Sequence, residues 1–209
     1  MGLLKALFGR QSKSRTSESS ILSTILRIEN QNSLDNGKTV ILEGCSALLL
    51  NTTDHPFFED IDSSLENSAK NLVILNSKLS GSKSEAFNSC WILFKNTFKD
   101  KMVDDINSFS THMADLGLAD NMTAAIFKSL IGDHITYWIC NYRTSKFYPM
   151  VPIDNGSRDN DLELEFGEMS AALGVPTEPH ENWYSLYDIP FSSHLRKQPY
   201  SQLPPPEVC

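Results

Sequence analysis

The chain has 209 residues, of which 40% are hydrophobic and 21% charged, and its formal net charge is −8. This apolar content is enough for one hydrophobic core and excludes a wholly disordered protein. The acidic balance excludes a general nucleic-acid-binding protein, which needs a basic surface. No run of about 18 apolar residues occurs, so no transmembrane helix is predicted.

The four cysteines are far apart in the sequence, and no two of them have the spacing of a metal site or a redox motif. We therefore interpret Cys45, Cys90 and Cys140 as buried thiols of a protein in a reducing, cytoplasmic compartment, and Cys209 as an exposed terminal thiol.

Residues 1–17 form a basic, amphipathic head. Four basic residues and no acidic residue give this segment a charge of +4, and its apolar side chains recur at helical spacing: Leu3, Leu4, Leu7 and Phe8. Two turns of isolated helix are marginal in water, so we expect the head to be flexible until another surface buries it. Three interpretations stay open: an anchor on anionic membrane, a transit peptide, and a solvated or self-docked terminus.

Residues 18–152 have the pattern of a helical domain. A short helix is expected from Ser19-Ser20 to about Asn30, and residues 39–50 fit either a hairpin around Glu43-Gly44 or a helix. Helical neighbours favour the helix for 39–50. Apolar stripes then predict helices over 60–81, over 82–116 as one helix or two joined near residue 100, and over 120–142, with Gly117 ending the middle one. Consecutive stripes of this kind are typical of a helical bundle.

Residues 153–209 form an irregular extension that is first acidic and then rich in proline and aromatic residues. Residues 154–181 contain eight acidic residues and one basic residue, Arg158, with a short helix predicted near Leu162–Leu173. Acidic residues alternate from Asp159 to Glu165, as in a calcium loop. Positions six and twelve of that loop hold Leu164 and Ser170 in place of Gly and Glu, so we interpret the carboxylates as a solvated face and predict no metal or cofactor.

Seven of the ten prolines lie in the last 34 residues. The aromatic side chains interleaved with them are of the types enriched at binding hot spots: Trp183, Tyr184, Tyr187 and Phe191. These residues are our candidate partner-binding site. Packing of the same residues on the protein's own core remains the alternative, because the two compositions look alike.

No complete catalytic motif is present. Gly37-Lys38-Thr39 resembles the end of a phosphate-binding loop, but Asn32 stands where that loop requires glycine. The alternative hypothesis is a helical-bundle enzyme or metalloprotein. If two of the predicted helices packed side by side, a group of histidine and aspartate side chains would meet in the core: His112, Asp115, Asp133 and His134.

The sequence therefore predicts a mostly helical protein, a bundle-like domain of about five helices followed by the irregular extension. The function that we expect is a non-enzymatic protein-interaction module, such as an adaptor, a chaperone-like protein or an inhibitor. In a variant of this expectation, the head attaches the cytoplasmic protein to a membrane surface.

Overall fold

The computed structural model describes residues 21–29, 39–59, 72–77, 89–95, 99–153, 157–186 and 189. A 3-10 helix spans Ile21–Ile28, and the α-helices are α1 (Pro56–Glu59), α2 (Lys99–Asp115) and α3 (Asn160–Ala172). The strands are β1 (Val40–Asn51), β2 (Leu72–Ser77), β3 (Ser89–Lys95), β4 (Met122–Ile131), β5 (His134–Asn141), β6 (Lys146–Met150), β7 (Pro152–Ile153) and β8 (Ser157–Arg158). Two further 3-10 turns span Ala119–Asn121 and His180–Asn182.

The architecture is an antiparallel sheet packed against helices. Six strands follow the order β2-β3-β1-β4-β5-β6, and β7 and β8 form a separate two-stranded ribbon. The long strand β1 lies between β3 and β4, with Leu48 opposite Ile92 on one side and Ala125 on the other. Helix α2 follows β3 in the chain and leads back to β4 on the far side of β1.

The predicted helical bundle is wrong. Residues 39–50 form neither a helix nor a hairpin, because nearly all of them belong to the single strand β1. Residues 72–77 and 89–95, which were predicted to be helical, are the strands β2 and β3. The predicted helix 120–142 is the hairpin of β4 and β5, which turns at Gly132 and Asp133. The φ of Gly132 is +57°, a left-handed conformation that glycine adopts without a steric cost.

The error has a physical cause, which is that both faces of the sheet are buried. A strand buried on one face alternates apolar and polar residues, but a strand buried on both reads as one apolar run. Ala124 to Phe127 on β4 and Tyr137 to Cys140 on β5 are all buried. Such runs carry no period of two, so periodicity alone does not separate them from a buried helix.

Three expected helical segments are present. The 3-10 helix Ile21–Ile28 lies within the segment predicted from Ser19-Ser20 to Asn30, and α3 matches the helix expected near 162–173. Helix α2 corresponds to the second half of the predicted 82–116 segment and ends at Asp115, two residues before the predicted stop at Gly117. There φ is +77°, and the amide of Leu118 donates to the Met113 carbonyl at 2.8 Å.

One face of the sheet, here called the helix-covered face, packs against the 3-10 helix and the three α-helices. Its core contains alternate residues of the strands together with side chains of the helices: Leu48, Leu50, Ile92, Phe94, Phe127, Trp138, Cys140, Ile25, Ile106 and Phe166. The opposite face, here called the strap face, carries the other residues of the same strands: Ala47, Leu49, Trp91, Leu93, Ile126, Tyr137, Ile139, Tyr148 and Met150.

The strap face also buries a lysine. Between the pairs Leu42–Ser129 and Ser46–Phe127 the register shifts, so a bulge of β1 lies opposite Lys128. Glu43 in that bulge approaches the Lys128 ammonium at 2.8 Å, and only 8% of the lysine side chain is exposed. The bulge therefore supplies a counter-charge where the sheet would otherwise bury a cation.

The described cysteines agree with their predicted state. Cys45, Cys90 and Cys140 are buried free thiols, and burial raises the pKa of Cys140 far above its usual range, with the charge of Glu178 acting in the same direction. Cys209 lies outside the described residues. In the described part of the chain, no helix is long and apolar enough to cross a membrane.

Helix α3 carries a glycine in its interior because an indole lies against it. A methyl group added at Gly167 would come within 2.7 Å of Cη2 of Trp183. Glycine to alanine in a helix interior usually stabilises by about 1 kcal/mol, since alanine loses less backbone entropy. At this position the steric contact opposes that gain.

We expect Gly167→Ala to lower the free energy of unfolding by about 1–3 kcal/mol, because the added methyl displaces the indole. Urea unfolding measures this, with the exposed neighbour Glu168→Ala as the control that stays within about 0.5 kcal/mol of the wild type. In a Trp183→Ala background, Gly167→Ala should instead stabilise. A stabilising effect in the wild-type background would contradict the contact.

Candidate interaction surface

The segment after α3 returns to the sheet and lies along β6; we call residues 175–189 the strap, of which 187 and 188 are outside the description. The amide of Phe147 donates to the carbonyl of Pro176 at 2.7 Å, and the amide of Glu178 donates to the carbonyl of Phe147 at 2.7 Å. Residue 177 thus pairs in parallel with Phe147 on β6. This short ladder covers part of the edge that β6 would otherwise expose.

The turn between α3 and the strap is fixed by a glycine C-cap. Gly174 has a φ of +75°, and the amide of Val175 donates to the Ser170 carbonyl at 3.0 Å. A guanidinium nitrogen of Arg27 donates to the carbonyl of Gly174 at 2.7 Å. The N-terminal 3-10 helix and the end of α3 are therefore joined at this turn.

An aromatic cluster anchors the strap on the strap face. The rings of Trp183 and Tyr148 are stacked, with centroids 6.2 Å apart and an interplanar angle of 18°. The indole Nε1 of Trp183 donates to the carbonyl of Glu178 at 2.8 Å, and the ring of His180 meets the indole edge-on at 4.9 Å. Leu186 and Ile189 pack on the same face of the sheet.

A buried ion pair holds α3, β8 and the strap together. The guanidinium of Arg158 donates to both carboxylate oxygens of Glu163, at 2.6 Å for its shortest bond, and also to Ser185 Oγ at 2.8 Å. Glu163 in turn accepts the amide of Val151 at 2.8 Å, and only 1% of its side chain is exposed. Bidentate pairing of this kind is strong and directional.

The acidic run of α3 therefore has divided roles, which corrects part of its interpretation as a solvated face. The carboxylate of Asp159 accepts the amide of Leu162 at 3.0 Å and caps the helix N-terminus, while Glu163 is buried. Asp161, Glu165 and Glu168 are exposed. Among the described residues, no group of acidic, histidine and cysteine side chains is arranged to hold a metal ion.

Tyr148, beneath the indole, has a strongly perturbed hydroxyl. Burial is the main cause that raises the pKa of Tyr148 to about 12. The charges of Glu178 and Glu163 also raise this pKa, whereas a backbone hydrogen bond with Tyr184 and the charge of Arg158 lower it. The phenol is therefore neutral at physiological pH, and the site combines a neutral phenol, an indole and nearby carboxylates.

The candidate partner-binding residues are placed differently from one another. Trp183 is half-buried against Tyr148, whereas 63% of Tyr184 is exposed. Tyr187 and Phe191 lie outside the described residues. The same holds for the candidate membrane-binding residues Leu3, Leu4, Leu7 and Phe8.

The four residues of the alternative hypothesis are not brought together. His112 and Asp115 are exposed near the end of α2, which leads to the start of β4. Asp133 and His134 are exposed at the turn that follows the last residue of β4. A ten-residue strand is about 30 Å long, so the two pairs lie at opposite ends of the sheet.

Two components of this surface, the Arg158–Glu163 ion pair and the buried Glu178, were not predicted from the sequence. Arg158 and Glu163 are five residues apart, a spacing without a helical or strand periodicity, and only the ribbon of β7 and β8 brings them into contact. Glu178 is buried although its sequence neighbours are proline, threonine and histidine. One signal was available, since Arg158 is the single basic residue in a long acidic segment.

The fold and this surface define a class of protein: a helix-covered antiparallel sheet closed on its other face by an aromatic strap. The comparison with protein families is more specific. The chain belongs to the family described as PspAB, PspA associated protein B, whose model matches residues 1–191. No curated protein and no solved structure matches the chain. The family description refers to association with another protein, which agrees with the expected protein-interaction role.

We expect Glu163→Gln to lower the free energy of unfolding by about 3 kcal/mol, because it leaves the largely buried guanidinium of Arg158 without a counter-charge. Urea unfolding at neutral pH measures this. Lys101→Ala removes an exposed ion pair with Asp105 and serves as the control, with an effect below about 1 kcal/mol. Equal effects of the two variants would contradict the role given to the buried pair.

Proposed function

We propose that this protein is a non-enzymatic binding partner of PspA. The observation that carries the proposal is the family match over residues 1–191, whose description names that association. The match includes α3 and the whole strap as well as the sheet. An interaction role agrees with the side chains that this part of the fold exposes, which are Tyr184 of the strap and the acidic residues of α3.

The surface that we propose for the contact is the outer face of α3 with the adjoining strap. The exposed acidic residues of α3 surround one large apolar side chain, that of Leu164: Asp161, Glu165 and Glu168. Leu164 is 41% exposed and Tyr184 is 63% exposed. An apolar centre within a charged rim is the usual composition of a protein interface, and its acidic rim favours a basic partner surface.

The direct test is binding of the purified full chain to purified PspA from the same genome. We expect a complex in size-exclusion chromatography and a dissociation constant that rises with salt, because opposite charges attract across the interface. No complex at low or moderate salt would overturn the proposed function. A complex formed equally well at high salt would overturn the charge argument alone.

The location of the interface is tested by charge reversal. We expect Asp161→Lys with Glu168→Lys to weaken PspA binding at least about tenfold, since the pair places repulsive charge at the proposed contact. Asp104→Lys with Asp115→Lys makes the same charge change on exposed positions of α2 and is the matched control. Equal loss in both double variants would indicate a general charge effect and not a contact on α3.

We further propose that the protein is cytoplasmic and that its head attaches it to anionic membrane. Support comes from the sequence, where apolar residues at helical spacing accompany four basic residues within 1–17. Leu7→Glu with Phe8→Glu should abolish sedimentation of the full chain with vesicles rich in phosphatidylglycerol. The matched control is the conservative pair Leu7→Ile with Phe8→Leu, which keeps the apolar side chains. Unchanged sedimentation of the glutamate variant would remove the anchor.

A further inference from the structure

The strap buries a carboxylate that its surroundings do not neutralise. Glu178 is 3% exposed, and among the described residues no hydrogen-bond donor reaches its Oε2 atom. Its backbone is fixed at both sides, by the bond to Phe147 and by the bond from the Trp183 indole. A buried carboxylate without a partner is destabilising, so folding alone does not explain its presence at this position.

The groups around Glu178 are those that bind cations. The half-buried Trp183 stacks on Tyr148 on one side and meets His180 on another. The backbone of Glu178 is bonded to Phe147, the neighbour of Tyr148 on β6, and to the indole of Trp183, so Glu178 adjoins both aromatic residues. An indole and a phenol beside a carboxylate attract an ammonium or guanidinium group through the ring quadrupoles and the negative charge.

Two arginines of the described chain near this place are already engaged. The charge of Arg158 lowers the pKa of Tyr148, but the guanidinium of Arg158 is bonded to Glu163 and Ser185. Arg27 donates to the carbonyl of Gly174 at the start of the strap. Among the described ion pairs, none includes Glu178.

We propose that Glu178, Trp183, Tyr148 and His180 form a binding site for a cationic side chain, arginine or lysine, supplied by the partner protein. This rests on the proposed function and specifies its chemistry. Trp183 is only half-buried, so part of its indole is accessible to a partner. The carboxylate gains its counter-charge on binding, and the indole gains a cation–π contact.

Stability and binding should respond to Glu178→Gln in opposite directions. In the free protein, the substitution removes an uncompensated charge at constant shape, so the urea midpoint should rise or stay unchanged. Affinity for PspA should fall at least tenfold, while the exposed neighbour Glu181→Gln should leave it within twofold. A lower urea midpoint for Glu178→Gln, which a merely structural role predicts, or unchanged affinity for PspA would overturn the site.

A small probe tests the site independently of PspA. N-acetyl-L-arginine amide should change the fluorescence of Trp183, because the other two indoles, Trp91 and Trp138, are 1% and 0% exposed. The neutral isostere N-acetyl-L-citrulline amide is the control, Trp183→Phe is the blank, and Glu178→Gln should abolish the response. If PspA does not bind but this pattern is seen, the proposed function fails and the cation site stands. An equal response to both amides, or none to either, overturns the site.

Arg196 and Lys197, which follow the strap in the sequence, are a competing source of the cation within the chain. If these residues occupied the site, replacing both with glutamine would destabilise the wild type but not the Glu178→Gln variant. That coupling would overturn assignment of the site to a partner. Additive effects on the urea midpoint support the assignment.

Discussion

Burial of both faces of one antiparallel sheet is the constraint on which the rest of the structure depends. On the helix-covered face, the 3-10 helix, α2 and α3 supply the apolar cover. On the strap face, the described cover comes from Trp183, Leu186 and Ile189. Antiparallel sheets usually leave one face in water. Here the second face is apolar, so the strap is a structural requirement of the sheet as well as a candidate site.

The proposed recognition site therefore lies on a segment that the fold itself requires. Its start is fixed to β6 by backbone bonds and its middle by the ion pair of Arg158 and Glu163 through Ser185. The indole of Trp183 lies between these two attachments, and Glu178 belongs to the first of them. A binding site between rigid attachments loses little entropy when a partner docks. The exposed acidic residues of α3 extend the same surface.

Some helices could be predicted from the sequence, whereas most strands could not, and the difference has physical causes. The helix stop at Gly117 was found because glycine acts locally on a helix end. A helix near 162–173 was expected as well, but the capping role of Asp159 at its start was missed. The strands were missed where burial on both faces removed their alternation, as in β4 and β5. The Gly132-Asp133 pair between two apolar runs was a usable hairpin signal, since such dipeptides form tight turns.

The site was predictable only in part for a related reason. The aromatic residues of the strap were recognised from their types, but composition does not distinguish packing on the protein's own sheet from packing on a partner. In the structure one indole is stacked on Tyr148 while Tyr184 is exposed, so neighbouring residues of one motif have different environments. The buried charges of Glu163 and Glu178 depend on tertiary contacts, which no spacing along the chain encodes.

The central claim is that α3 and the strap form the surface that meets PspA. Hydrogen–deuterium exchange of the full chain, alone and saturated with PspA, tests it most directly. The account predicts added protection in residues 160–186, with little change in α2. Protection confined to α2 or to the edge strand β2, with residues 160–186 unchanged, would contradict it.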